Sequence, residues 1–522
     1  MRLIPSTRGG MLWRSLVAAI LVIGFAAATT AVGGLLQVRQ ITHLLDRTPS
    51  FQASPSVVVP DPGKAQTILL VGSDHRAGTP FRDVNTDTMM LVRLDPNSST
   101  INLISVPRDL KVQIPQGGGV GSAKLNLAYF IGGPNLLIKV LQQQVFPGLK
   151  VNHVVDVGFG GFERMINAIG CVYTDVDHRY YNNTAVTDYS SIDIQAGYQK
   201  LCGADALSFV RFRHTDSDIV RNARQQDFVR WAKSQFSQDQ IITQRERLLG
   251  IFGSNAKTDH NLHTTDGIIN LFDLVAFSSV NSIKQIPFPA ITLPCYSGPT
   301  QAGGAVQAAP CYVTADSGAE RSAFKAFMTP TPKPAANSSP PAGAANAGGK
   351  PGGGGGNGRG PVPGLRADVS DGQSQSKALG KIGIPIFFPK LIMGNSQYCQ
   401  SQTSLCPVEG GANTIGYPRA YLLHDRHGIA HYAYRMTLEI NPVLGQYYGV
   451  QGSTWQSPPI LNSPSATKFV NGKRLLLYAN GGKLSLVAWR TPQAVYWISN
   501  TLTDNITNRQ LVAIAASLTK AH

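Results

Sequence analysis

"TDTMMLVRLDPNSSTINLISVPRD", Thr86 to Asp109, carries two apolar runs around a short polar break. The break, Asp95 to Ser99, is turn chemistry: Asp, Asn and Ser bond their own backbone, and Pro96 presets one dihedral. The flanking runs are short and largely aliphatic. They predict an antiparallel hairpin, Asp87–Leu94 with Thr100–Val106. "TILLVG", Thr67 to Gly72, predicts a buried strand just upstream. Downstream, "GPNLLIKVLQQQVF" and "GFERMINAIG" predict helices, "ALSFVRFR" a strand, and "DIVRNARQQDFVRWAKSQF" a long helix. This alternation predicts an α/β fold, a layered mixed sheet flanked by helices.

That topology gathers charged residues from distant segments. In a hairpin the start of one strand lies beside the end of the next. Asp74 and Arg76 follow the first strand in "GSDHR", Asp87 opens the second, and Arg108 follows the third. All four are therefore expected on one rim of the sheet. The stretch "FVRFRHTDSDIVRNARQQDFVRWA", Phe209 to Ala232, supplies the opposite wall. On a strand, Arg211 and Arg213 share a face. Asp218 stands at an expected N-cap, and Arg221, Arg224 and Gln225 form one stripe of the helix. Arginine cannot shed its charge, so such a cluster repels itself unless an anion arrives. Arginine forks at a helix N-terminus suit a diphosphate. Asp74 and Asp87 suit Mg²⁺, which takes one or two carboxylates plus substrate phosphates. The set points to phosphoryl transfer by positioning and charge neutralisation, with Arg108, Arg213 and Asp218 as catalytic residues. Asp218 would orient or deprotonate the acceptor.

Plainer readings compete. A charge run is usually a solvated face, but solvated faces mix signs. Asp218 is as well explained as a helix cap. Asn126 in "KLNLAY" reads as structural. His424, His427 and His431 in "HDRHGIAH" read as a hairpin turn rather than a metal site. No P-loop or nucleophile-elbow pattern occurs in a fitting context.

Composition places the chain. It has 522 residues, 43% hydrophobic, with a net charge of +16. A basic chain suits nucleic acid, an anionic membrane or phosphorylated substrates. Arg2, Arg8 and Arg14 precede an uncharged run of 22 residues, Ser15 to Leu36. That length fits a spanning helix better than a cleaved signal, and the arginines stay inside. The expectation is a single-pass protein of the cytoplasmic membrane, N-terminus inside and bulk outside, with no nucleic-acid partner. A signal peptide cut near Ala26 to Ala31 is the alternative. Six cysteines in an exported chain fit disulfides. Proximity in sequence suggests Cys171–Cys202, Cys295–Cys311 and Cys399–Cys406.

The expected organisation is a cytoplasmic tail over 1–14, the membrane anchor over 15–36, and a stalk over 37–64. A catalytic block follows over 65–328. "TPTPKPAANSSPPAGAANAGGKPGGGGGNGRGPVPG" begins a disordered linker over 329–377. A small C-terminal α+β domain of unknown role occupies 378–522. The linker is expected to separate two independent units.

Seven motifs, in order, resemble the LytR-CpsA-Psr family: "ILLVGSDHR", "NTDTMMLVRLDP", "LISVPRDLKVQIP", "KLNLAYFIGGP", "GFGGFERMINAIGCVYTDV", "LCGADALSFVRFRH" and "DIVRNARQQDFV". The resemblance covers about Thr67 to Phe236. It implies a membrane-anchored enzyme that moves a glycopolymer from a polyprenyl diphosphate carrier to peptidoglycan, leaving a phosphodiester link. It implies Asp74 and Asp87 as the magnesium aspartates. It implies Arg76, Arg108, Arg211, Arg213, Arg221 and Arg224 as diphosphate-facing arginines, with Asp218 and Gln225 from the "DxxRxxRQ" motif. One departure stands out: Asn85 occupies a place where many members carry Arg, with Arg82 or Arg76 as possible substitutes. A slot for the lipid tail is expected near Phe130, Leu136, Phe162 and Ile166. Two rivals remain, a non-catalytic envelope sensor and a polyprenyl-diphosphate hydrolase.

Overall fold

The computed structural model describes residues 50–51, 57–74, 85–116, 119–183, 191–212, 217–293, 312–333, 362–399, 406, 417–442 and 444–521. The expected anchor, Arg76, Arg82, Arg213, Cys295 and Cys311 lie outside these.

The central sheet has seven strands: β1 (Ser50–Phe51), β2 (Gln66–Ser73), β3 (Thr86–Leu94), β4 (Thr100–Ser105), β5 (His153–Gly158), β6 (Lys257–Asp259) and β7 (Ser282–Ile286). Their order is β1-β6-β5-β2-β3-β4-β7. The expected hairpin is β3–β4, antiparallel, with Met90 opposite Ser105. β2 runs antiparallel to β3 and parallel to β5, so the sheet is mixed. Both faces are buried, which is why β2 reads as continuous apolar residues rather than alternation. Leu69, Val71, Met89 and Leu91 pack into one cluster, while Ile68, Met90 and Leu103 pack into another.

Helix α1 (Leu125–Val140) covers the first face through Leu125, Ala128, Leu137 and Ile138. It breaks at Gly132 and Gly133, the latter at φ 59°, ahead of Pro134. Proline has no N–H to continue the ladder, and only glycine enters that φ without strain. Helix α2 (Phe159–Ala168) follows β5 directly.

Two local expectations are corrected here. "ALSFVRFR" is not a strand. It ends helix α3 (Gly203–Arg211), whose buried Ala206, Phe209 and Val210 fall at helical spacing. The Phe/Arg alternation at its end imitates a period of two, but the 3.6 period upstream prevails. The N-cap of helix α4 (Asp218–Ser234) is Ser217, whose hydroxyl accepts from the Val220 N–H, and Asp218 is the first helical residue.

The C-terminal block is larger than the sequence suggested. Leu365–Ala367 is a strand and Val369–Leu379 a helix, inside the segment expected to be linker. The capping signal was present: Asp368 accepts from the Asp371 N–H. Eight strands, including Ala430–Asn441, Gln446–Ser453, Lys483–Arg490 and Val495–Ser499, form an antiparallel sheet. Asn508–Ala516 is a helix near the end of this block. "HDRHGIAH" is a hairpin, with Arg419–His424 paired to Ala430–Asn441. His431 bonds Asp425 and stacks on Trp455 rather than facing solvent alone.

The two blocks do not stand apart. Tyr173 and Tyr198 of the N-terminal block share one hydrophobic cluster with Leu423, Leu486, Val495 and Trp497 of the C-terminal block. Arg435, wholly buried, donates to Asp175 at 3.2 Å, and that carboxylate is buried too. The Tyr421 hydroxyl donates to the Tyr198 carbonyl and Arg419 to the Ala196 carbonyl. The expectation of independent units is corrected. Its cause lies in composition: a Pro/Gly-rich connection says nothing about whether the faces it joins are apolar.

Candidate functional site

The rim at the C-terminal end of β2 collects the charged residues. Asp74 and Asn85 exchange bonds where β2 meets β3: the Asp74 N–H donates to the Asn85 carbonyl at 3.0 Å, and the Asn85 N–H donates to Asp74 Oδ1 at 2.7 Å. Asp87, two residues on, is the residue that the irregularity in the β2–β3 register leaves without a partner across the pair, between Thr86 opposite Ser73 and Thr88 opposite Gly72. Its two carboxylate oxygens take different arginines. Arg108 donates to Oδ1, and Arg211 Nε lies 3.4 Å from Oδ2. Residues 74, 87 and 108 thus lie on one rim, in line with the hairpin argument, and Arg211, expected on the opposite wall, reaches Asp87 there.

Arg108 is held from three sides. Its carbonyl accepts from the Asn126 N–H at the start of α1, so Asn126 serves through its backbone. Its guanidinium lies 3.8 Å from Asp109, which Lys124 holds in turn at 2.9 Å. Arg211 closes the C-terminal end of α3 with its guanidinium 3.8 Å above the Phe159 ring. Phe159 starts α2 at the same rim, because Ser73 pairs with Gly158. A cation over an aromatic face is attracted by the ring quadrupole. Neither Phe159 nor the Asp109–Lys124 brace was singled out from sequence. The one available signal was the Asp following Arg in "VPRD".

The first turn of α4 adds a buried pair, Arg221 Nη2 to Asp218 Oδ1 at 2.9 Å, with both side chains about 3% exposed. Asp218 here is the partner that fixes Arg221. Arg224 and Gln225, both expected to face the diphosphate, do structural work instead. Arg224 is 0% exposed, donates to the Phe212 carbonyl, and lies over the rings of Tyr180 and Phe209. Burial pushes the nearby Asp177 carboxyl upward, but His178, Tyr180 and then Arg224 hold it below its ordinary range. Gln225 donates to the Val210 carbonyl at 3.0 Å, tying α4 to α3. The three residues share one helical stripe, but its continuation points into protein.

The apolar residues proposed for a lipid slot divide. Leu136 packs on the α1 cluster, whereas Phe162 and Ile166 belong to the cluster of α2, α3 and α4. Cys171–Cys202 and Cys399–Cys406 are both disulfides, with Cα separations of 4.5 and 5.5 Å. Cys399, Cys406 and Glu439 converge, but the two sulfurs are bonded to each other, leaving no thiolates for a metal.

The donor chemistry on the rim fits a hard cation. Asp74 and Asp87 offer oxygen only, as Mg²⁺ prefers over sulfur or nitrogen. The arginines do not bar it, since each carboxylate oxygen has two lone pairs.

The model of the LytR_cpsA_psr family matches residues 37–304. The chain belongs to this family. A relative in Corynebacterium glutamicum, the probable cell wall biosynthesis protein LcpB, is 34% identical over 40% of this chain and 50% of that protein. One in Oceanobacillus iheyensis, the polyisoprenyl-teichoic acid–peptidoglycan teichoic acid transferase TagU, is 32% identical over 37% of this chain and 59% of that protein. The match thus spans about half the length of these curated relatives. The crystal structure of TagV from B. subtilis is 23% identical and covers 51% of this chain and 97% of that chain, at a TM-score of 0.39.

Proposed function

We propose that this protein transfers a glycopolymer from a polyprenyl diphosphate carrier to peptidoglycan, forming a phosphodiester link outside the cytoplasmic membrane. The observation that carries the reading is the Asp87 carboxylate bridging Arg108 and Arg211, with Asp74 on the same rim. Such a rim is built to exchange one anion for another. Family membership and the names of TagU and LcpB support the same reaction class. The uncharged run Ser15 to Leu36 supports a membrane anchor.

The acceptor hydroxyl would attack the sugar-proximal phosphorus. The phosphoanhydride bond breaks, polyprenyl phosphate departs, and the hydroxyl proton passes to water. Transition states of this class are loose, so positioning and charge neutralisation dominate. Arg108 and Arg211 would move from Asp87, which each holds through a single nitrogen, to the phosphates, which can accept from both arms of a guanidinium fork. Arg213 and Arg76 are proposed to join them. Arg221 would face the anion from the first turn of α4, where the backbone dipole adds to its charge, and Asp218 would keep it oriented. Mg²⁺ held by Asp74 and Asp87 would neutralise phosphate charge.

The test supplies purified full-length protein with lipid-linked glycopolymer, peptidoglycan and Mg²⁺. Covalent polymer on peptidoglycan is the expected product. Released polymer phosphate without an acceptor would mark a hydrolase, and an unchanged donor a sensor. Asp74→Ala should abolish Mg²⁺-dependent turnover yet leave the lipid bound by its tail.

A further inference from the structure

A groove of about 210 Å³ runs between α4, β7 and the C-terminal block. One end reaches Pro107 and Ile219, the chain neighbours of Arg108 and Asp218. Its floor on α4 is a single stripe, Ile219, Asn222, Ala223 and Gln226. The far wall is a C-terminal turn, Asn480 to Lys483. Pockets that enclose a whole small ligand run to roughly 300–1,000 Å³. This one suits a single unit of a longer chain whose remainder stays in solvent.

Three side chains give it a chemical preference. Asn222 is 7% exposed, and its side-chain amide makes no hydrogen bond among the described residues. The amide lines the groove, where a ligand can reach it. An amide offers both donors and an acceptor, the complement of another amide. Lys284 and Lys483 line the same groove and make no ion pair among the described residues. The stem of Lys284 lies across Gly481, where a Cβ would come within 3.1 Å of its Cγ. The C-terminal turn therefore sets where that ammonium reaches. Gln226 is already committed, to Ser105 at 2.8 Å. Asp504 also lines the groove, with Asn480 donating to it at 3.0 Å.

We propose that this groove is the acceptor subsite, binding an N-acetylated sugar of peptidoglycan through Asn222 and its peptide carboxylates through Lys284 and Lys483. The C-terminal block, whose role nothing in the sequence assigned, thereby supplies half of a specificity surface. The inference rests on the transferase reading, because it names that reaction's acceptor.

The experiment titrates full-length protein with a soluble peptidoglycan fragment, a disaccharide bearing a short peptide, with its carboxylates free or amidated. Binding is followed by calorimetry, and transfer is measured in parallel. The double variant Lys284→Gln/Lys483→Gln should lose roughly tenfold in affinity for the free-acid fragment, as lost charge-assisted bonds imply, and little for the amidated one. Asn222→Ala should weaken both fragments alike. All variants should keep the native thermal midpoint and an unchanged affinity for the lipid donor. If the native chain transfers polymer but the variants bind both fragments as it does, the groove proposal is overturned and the transferase reading stands. If lysine-dependent binding occurs without transfer, the groove stands as a binding site and the transferase reading falls. Absence of both overturns both.

Discussion

Four arginines that look alike in the sequence divide by what surrounds each guanidinium. Arg108 and Arg211 share Asp87 at a rim, with side chains 24% and 38% exposed, so a phosphate can displace the carboxylate. Arg221 is nearly buried but paired to Asp218 in the first turn of a helix. Arg224 is enclosed by protein, its charge set against aromatic faces and a backbone carbonyl. Substitution should therefore produce two phenotypes. Arg108→Ala and Arg211→Ala should weaken diphosphate binding by roughly 1.5–3 kcal/mol each, the range for lost hydrogen bonds to charged groups. Arg211→Lys should recover only part of this, since a point charge lacks the fork. Arg224→Ala should lower stability by about 3 kcal/mol or more, as removing one side of a buried charge network does. Urea unfolding followed beside binding of the lipid donor separates the two. A native unfolding midpoint in Arg224→Ala, together with lost donor binding, would return that residue to the site.

The element that most changes the site is α3. As a strand it would have pointed Arg211 and Arg213 the same way; as a helix it delivers Arg211 at its last turn, over Phe159. Cys202 is its N-cap residue and is bonded to Cys171, just after α2. The disulfide closes a sequence separation of 31. A loop of that length is worth about 3–4 kcal/mol in the chain-entropy view. Cys171→Ala/Cys202→Ala should lower stability by that order in chemical denaturation. It should also weaken donor binding more than a surface substitution does, because α3 aims Arg211. Unchanged donor affinity in a destabilised double variant would show that packing alone aims it. The hairpin, α2, α4 and the convergence of Asp74, Asp87 and Arg108 were legible because periodicity and turn chemistry are local. The conformation of α3 was not, because its apolar spacing and its Phe/Arg alternation give opposite answers over nine residues. The burial of Arg224 was not either, since it depends on Tyr180 and Phe209, which only the fold brings to it.

At the scale of the molecule, the two blocks behave as one structure because their contact is a core rather than a tether. Fully burying a large apolar side chain is worth about 1.5–3 kcal/mol, and Tyr173, Tyr198 and Trp497 are all within 1% of complete burial in the shared cluster. Arg435→Ala leaves Asp175 buried without its partner and should cost about 3–5 kcal/mol. It should shift the unfolding of both blocks together, read by tryptophan fluorescence and by protease sensitivity on either side of the connection. Separate transitions would restore the picture of independent units. The same contact should respond to pH through a continuous polar chain. Arg230 pairs with Asp227, Gln285 donates to Asp227 at 2.7 Å, the Gln285 N–H donates to Asn480 at 2.8 Å, and Asn480 donates to Asp504 at 3.0 Å. Burial pushes the Asp504 carboxyl up to about 7; Asp227 adds to the rise, while Arg230, Asn480 and Lys483 oppose it. An unfolded aspartate titrates near ~3.9. Between these values the folded chain holds a proton that the unfolded chain has lost. Stability must therefore fall as pH rises from about 4 to about 7, with the whole penalty present above that. Asp504→Asn keeps an acceptor for Asn480 but cannot ionise. It should stabilise the chain more at pH ~8 than at pH ~5, where the native carboxyl is already protonated. Urea midpoints at the two pH values measure this directly. An equal shift at both would mean that Asp504 ionises freely and that the docking of the blocks is indifferent to its charge.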